Sequence, residues 1–91
     1  MFLKGIVTVL GRDQKGIIAK VCTYLSNEGV NILDISQTIV QGFFNMIMIV
    51  DLTGQETRFF EMASRLTEIG NSMEIQVRLQ REDIFNSMHR L

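Results

Sequence analysis

The chain of 91 residues has no proline, one cysteine, one histidine and no surplus of either charge. Each scarcity excludes something. With no proline, no Gly/Ser-rich stretch and no run of like charge, nothing reads as a linker or low-complexity segment, so one domain is expected over residues 1–91. A lone Cys22 excludes an internal disulfide and any CxxC metal or redox motif; it falls in an apolar helical pattern and reads as a packed thiol. His89 is the only histidine, and with no plausible ligand cluster neither a metal nor another cofactor is expected. Nine Lys and Arg are scattered among ten Asp and Glu; the lack of a basic stripe argues against nucleic acid as a partner. The longest apolar run, Met46 to Val50, falls far short of the ~20 residues that a membrane-crossing helix needs. The first residues also lack the charged and apolar regions of a secretory signal, so a cytoplasmic protein without membrane association is expected.

What is present is a chain that is 46% hydrophobic, globular in composition but with a modest core, since a chain this short buries only roughly 60–65% of its unfolded surface. Phe2 to Leu10 alternates, with Phe2, Ile6 and Leu10 on one side and Leu3, Val7 and Val9 on the other, which predicts a strand covered on both faces. Gln14 to Glu28 sets Ile17, Val21 and Leu25, with Ile18 and Cys22, at helical spacing, and Gly29 is its expected stop. Val30 to Val40 and Phe43 to Leu52, joined by Gln41-Gly42, predict a hairpin. Alternation fails at Ile32-Leu33, which points either to a later strand start or to a bulge. In the second hairpin strand Phe44, Met46, Met48 and Val50 share one face and Phe43, Ile47 and Ile49 the other; helices can cover only one of them.

Thr53-Gly54-Gln55-Glu56 matches a capping box, so a second helix is expected from there, with Phe59, Met62, Ala63, Leu66 and Ile69 buried and Gly70 as its end. Met73, Ile75, Val77 and Leu79 then alternate with polar residues as a half-solvated strand. Arg81 to Leu91 places Ile84, Phe85, Met88 and Leu91 on one side of a short terminal helix, marginal unless it packs on something. His89, near its end, suits the helix dipole. The order strand, helix, strand, strand, helix, strand predicts a ferredoxin-like α+β fold. Its four-stranded antiparallel sheet would have strand order 2-3-1-4 or a close relative, two helices on one face, a core over 1–80 and the extra helix over 81–91.

The stretch around which the chain is organised is Gly11-Arg12-Asp13-Gln14-Lys15-Gly16-Ile17, a passage from strand to helix. Asp13 is its natural N-cap, and the two glycines admit close approach of a backbone or a small ligand. With a helix and then Gly29-Val30-Asn31-Ile32 leading to Asp34-Ile35-Ser36-Gln37, the chain resembles the ACT domain family. Within it the likeness is to small stand-alone members grouped with regulators of glycine-cleavage genes. The resemblance extends to about Gln80. Asp13 stands where amino-acid-binding relatives often have Asn, and Lys15 where many have Pro.

The resemblance implies a ligand-sensing module that is not an enzyme, acts as a homodimer and binds an amino acid near the first strand-to-helix loop and the start of the second strand. The candidate ligand-binding residues are therefore Gly11, Arg12, Asp13, Gln14, Gly16, Asn31 and Asp34. The helix N-terminus and Arg12 would meet a carboxylate, while Asp13 or the Asn31 oxygen would accept from an ammonium. The bland alternatives are a cap for Asp13, a surface charge for Arg12, a turn hydrogen bond for Asn31, and solvated sheet face for Asp34 and Gln37. A ligand-free dimerisation or partner-docking domain is the competing reading, carried by the doubly apolar strand Phe43 to Leu52 and the terminal helix. An acylphosphatase-like enzyme would need a different loop, and an RNA-binding sheet would need basic-flanked aromatics that the first strand lacks.

Overall fold

The structure, a computed structural model, describes residues 3–12 and 16–82, with the backbone alone at position 40. The elements are β1 (Lys4–Arg12), α1 (Ile17–Asn27), β2 (Asn31–Val40), β3 (Phe43–Asp51), α2 (Phe59–Ser72) and β4 (Gln76–Arg81). The strands form one sheet in the order β2-β3-β1-β4, all neighbours antiparallel. This is the expected ferredoxin-like βαββαβ arrangement, with two crossovers laying the helices on one face. Of the terminal helix expected over 81–91, residues 83–91, with His89, lie outside the described residues, and Arg81 closes β4 instead.

Alternation sorts the side chains of the sheet. Val7 and Val9 of β1 meet Met46, Met48 and Val50 of β3 and Val77 and Leu79 of β4, and on these rest Ile17, Val21 and Leu25 of α1 with Met62 and Leu66 of α2. Burying each such side chain stabilises by roughly 1.5–3 kcal/mol, so this layer, to which β2 adds little, holds the fold. The break at Ile32-Leu33 is a bulge: the β2–β3 register shifts between Ile32 and Asp34. Past it, Asp34, Ser36 and Thr38 point away from the helices, while Ile35, Gln37 and Ile39 point to their side. An edge strand lies beyond the reach of two helices, so Leu33, Ile35 and Ile39 are exposed.

Several element ends differ from the sequence expectation for local reasons. β1 runs on through Gly11 and Arg12, because these pair with Phe44 and Phe43. α1 begins at Ile17 with Gly16 as its N-cap rather than Asp13, since Gly16 sits at φ 90, outside the right-handed helical region. Its end is as expected: the Gly29 and Val30 N–H groups donate to Ser26 and Leu25 carbonyls at 3.0 and 2.9 Å, a Schellman motif. The capping box does not form. The Thr53 hydroxyl instead accepts the Leu3 N–H at 3.2 Å, and a 3-10 turn, Glu56–Arg58, leads into α2 at Phe59.

Gly70 does not end α2, which continues to Ser72; it is where the helix meets β4. The true end is a second Schellman motif, in which Glu74 and Ile75 N–H groups donate to Asn71 and Gly70 carbonyls at 3.2 and 2.8 Å. Here the left-handed position is held by Glu74 at φ 58. A side chain there costs about 1 kcal/mol relative to glycine. Glu74→Gly is therefore expected to stabilise the domain by about 0.5–1 kcal/mol, read as a raised urea midpoint with unchanged slope.

Candidate functional site

Three of the candidate residues gather at one end of the sheet. Gly11 permits a close approach, since a Cβ at this position would lie 3.0 Å from Ile75 Cγ1. Next to it, the Arg12 guanidinium sits 5.6 Å from the centroid of the Phe43 ring, its cross-strand partner. Stacking uses the face of a guanidinium and leaves its in-plane N–H donors directed outward. Gly16 then opens α1, whose first turn holds no acidic residue and, among the described residues, no side-chain cap. The free N–H groups and the positive end of the helix dipole are thus unopposed by any described side chain. Asp13 and Gln14, with Lys15, lie outside the described residues.

Asn31 and Asp34 are not brought to that end. Asn31 opens β2 opposite Asp51, which pairs with Lys4. From Lys4 to Arg12 is eight steps of strand, about 26 Å at ~3.3 Å per residue. Asp34 aligns with Ile49 and so with Ile6, about 20 Å from Arg12 on the same rise. Its Oδ1 accepts the Ile35 N–H at 2.9 Å beside the bulge. Within one chain, a single small ligand cannot touch both sets.

The Asn31 end carries its own polar network. Gln55 Nε2 donates to the Glu28 carbonyl at 3.0 Å, while Arg58 bridges Glu28 and Glu61 and its pKa is raised, chiefly by the hydrogen bond to Glu28. Asp51 Oδ1 accepts the Thr53 N–H at 2.9 Å, and hydrogen bonding from Thr53, side chain first and backbone second, holds the Asp51 carboxyl below its ordinary value. A pKa lower in the folded than in the unfolded chain stabilises fully above about pH 4 and loses that contribution as pH falls through the folded value. Asp51→Asn is expected to remove this part of the acid sensitivity: the gap in urea midpoint between wild type and variant at pH 6 should narrow at pH 3.

Two features escaped the sequence reading. A shallow groove of about 380 Å³ lies between the helices, lined by Ala19, Lys20, Thr23, Tyr24, Asn27 and Ile69. Most of these form the solvent stripe of α1, which helical periodicity marks only as polar. Burial, and then Glu28, push the Tyr24 hydroxyl pKa up. The second feature is the exposed apolar edge of β2; in the doubly apolar strand Phe43 to Leu52, Phe44, Met46, Met48, Val50 and Leu52 are core, whereas Phe43 is exposed and Ile47 and Ile49 are only partly buried on the other face. Among the described residues no group of His, Cys, Asp and Glu could hold a metal ion, and no helix is long and apolar enough to cross a membrane.

A four-stranded antiparallel sheet with two helices on one face, in βαββαβ order, is the frame that ACT domains share. The chain belongs to the ACT domain family, whose family model matches residues 5–80. It is 52% identical over 88 residues to a UPF0237 protein of Bifidobacterium longum, a match covering 97% of this chain and 98% of that one. Among solved structures, an ACT domain protein from Streptococcus pneumoniae superposes with a TM-score of 0.72 at 30% identity, over 91% of this chain and 93% of the other. A candidate glycine cleavage system transcriptional repressor shares the fold, with a TM-score of 0.69 at 21% identity, 89% of this chain and 46% of that one being covered. ACT domains are generally ligand-binding regulatory modules, often for amino acids, and the family points to a regulatory, non-catalytic role.

Proposed function

We propose that the protein is a cytoplasmic homodimeric sensor that binds an amino acid and passes its state to another protein. The reading is carried by membership of the ACT domain family over residues 5–80, and the chemistry that suits it is offered by the uncapped first turn of α1 and by the Arg12 guanidinium, both near the passage from β1 to α1. There they hold the ligand carboxylate, with Gly11 and Gly16 giving close access. Asp13 and Gln14, by their sequence position in the same loop, and Asn31 supply acceptors for the ammonium.

The separation of Asn31 from Arg12 supports a dimer. β2 is an edge strand with exposed Ile35 and Ile39, a surface that invites pairing with another strand. Antiparallel pairing of β2 with β2 of a second copy, with the two-fold near Gln37, sets Ile35 of each against Ile39 of the other. It also carries Asn31 of each copy to the partner's Gln41–Phe43 end, where Arg12 stacks on Phe43. Each of two equivalent sites then takes its loop from one copy and its Asn31 from the other, with Asp34 nearer the interface. Binding across the interface shifts dimer geometry, because the ligand prefers one arrangement.

A thermal-unfolding screen against the common amino acids, with mass measured by light scattering, tests this. Ligand at one hundred times its dissociation constant adds about 2.7 kcal/mol, a shift of several degrees for a domain of this size. A shift confined to one or two amino acids, on a dimer, is expected. No shift with any of them, on a stable dimer, replaces the sensor with a ligand-free docking domain.

A further inference from the structure

The two helices are tied to each other at one end. There Arg58, at the entry to α2, bridges Glu28 and Glu61, and Gln55 holds the carbonyl of Glu28. Away from that tie the groove of about 380 Å³ opens, with Ala19, Lys20, Thr23, Tyr24 and Asn27 of α1 along it and Ile69 of α2 across from them. Its surface is mostly apolar, with Ala19 and Ile69 contributing no polar group. The volume is that of a small-molecule site, for which about 300–1,000 Å³ is usual. A stable protein partner instead needs about 800 Å² on each side, drawn from roughly 20–30 residues.

Lys20 is the one charged residue of α1, and among the described residues its ammonium has neither an ion pair nor a hydrogen bond. The carboxylates of α2 are engaged elsewhere: Glu61 pairs with Arg58, and Glu68 with Arg65 at 3.8 Å. The hydroxyls of Thr23 and Tyr24 and the amide of Asn27 are also without a hydrogen-bond partner among the described residues. With its pKa pushed up by burial and then by Glu28, the Tyr24 hydroxyl stays protonated and able to donate. No carboxylate lines the groove. We infer that this groove is a ligand site separate from the β1–α1 passage, and that it takes a small organic anion with an apolar body, a short-chain or aryl monocarboxylate. Its head pairs with Lys20, and its body lies on Ala19, Tyr24 and Ile69. The head belongs at the Lys20 end because the charges of Glu28 and Glu61 act on Tyr24 from the other side. From Lys20 to Asn27 α1 rises about 10 Å, room for a short chain or a single ring. An amino acid is disfavoured here, since its ammonium would meet Lys20 and no carboxylate.

Tyr24 is the only tyrosine of a chain without tryptophan, so its fluorescence reports on this groove alone. The full chain is titrated with hexanoate and with phenylacetate, and with hexylamine as the same chain bearing the opposite charge. A saturable change at millimolar carboxylate, and none with hexylamine, is expected. Lys20→Glu should weaken carboxylate binding about tenfold, whereas Lys20→Arg should keep it. The Lys20→Glu variant is expected to fold, because an acidic residue near the start of a helix suits its dipole. No saturation with either carboxylate overturns the site. An equal response to hexylamine overturns the assigned charge, and undiminished affinity in Lys20→Glu overturns the pairing on which the assignment rests. Neither probe is an amino acid, so these results stand apart from the outcome of the thermal screen.

Discussion

Gly70→Ala is expected to destabilise the domain by about 3 kcal/mol or more, among the largest effects of a single methyl group in the chain. The cause is the seating of α2 on β4. A Cβ at Gly70 would lie 2.3 Å from the Ile75 carbonyl oxygen and 2.8 Å from Val77 Cγ2. The first of these is backbone, and it cannot swing aside as a side-chain tip can. Relief requires α2 to lift from the strand, which opens the layer in which Leu66 and Val77 are buried. The Ile75 N–H donates to the Gly70 carbonyl at 2.8 Å, so the lift also strains the turn that ends the helix. Against a total stability of roughly 5–10 kcal/mol for a small domain, such a loss leaves a readily measured unfolded fraction near body temperature. Gly42→Ala is the control. Gly42 is at φ 83 with nothing within 4 Å of its added Cβ, and a cost of only about 1 kcal/mol is expected there. Urea midpoints of the two variants that agree within error would contradict this account of the α2–β4 contact.

The second large effect falls on binding. If Arg12 holds the carboxylate of the amino acid that the thermal screen identifies, Arg12→Ala removes a charge-assisted pair worth about 1.5–3 kcal/mol. Affinity measured by calorimetry should then drop by about 10- to 150-fold. Folding stability should barely move, because the stacking of Arg12 on Phe43 is an exposed contact worth about 0.5–1 kcal/mol. Arg12→Lys separates charge from shape. It keeps the cation but loses the planar fork, so an intermediate affinity is expected. Undiminished affinity in Arg12→Ala removes this residue from the site and leaves the α1 N-terminus to bind alone.

The fold was legible in the sequence because its periodicities are clean. The even-numbered set from Phe44 to Val50, the stripe Ile17, Val21 and Leu25, and the break at Ile32-Leu33 each correspond to a buried face or a bulge. Helix ends were less legible, because they depend on tertiary partners. Thr53-Gly54-Gln55-Glu56 has the letters of a capping box, but the hydroxyl of Thr53 is taken by the Leu3 N–H, fifty residues away in sequence. Gly70 reads as a stop, whereas what it supplies is room for a carbonyl of β4's approach.

The candidate site was legible as residues but not as a place. Arg12 and Asn31 each sit in a family-like motif, and nothing in a linear pattern says that the antiparallel register puts them at opposite ends of a sheet. Nor does alternation reveal an edge. Ile35 and Ile39 share one face of a strand by alternation, and their exposure follows from β2 lying outermost, beyond the reach of the two helices.

The central claim is that one ligand is held by Arg12 of one copy and Asn31 of the other, and subunit complementation tests it most directly. Arg12→Ala and Asn31→Ala homodimers should each bind the identified amino acid weakly or not at all. When the two are unfolded together and refolded as an equal mixture, half of the dimers pair one chain of each kind. Each such dimer rebuilds one intact site beside one doubly damaged site, so about a quarter of all sites should recover wild-type affinity by calorimetry, as two-fold symmetry requires. A mixture that binds no better than its two components would contradict the shared site and return Arg12 and Asn31 to separate roles.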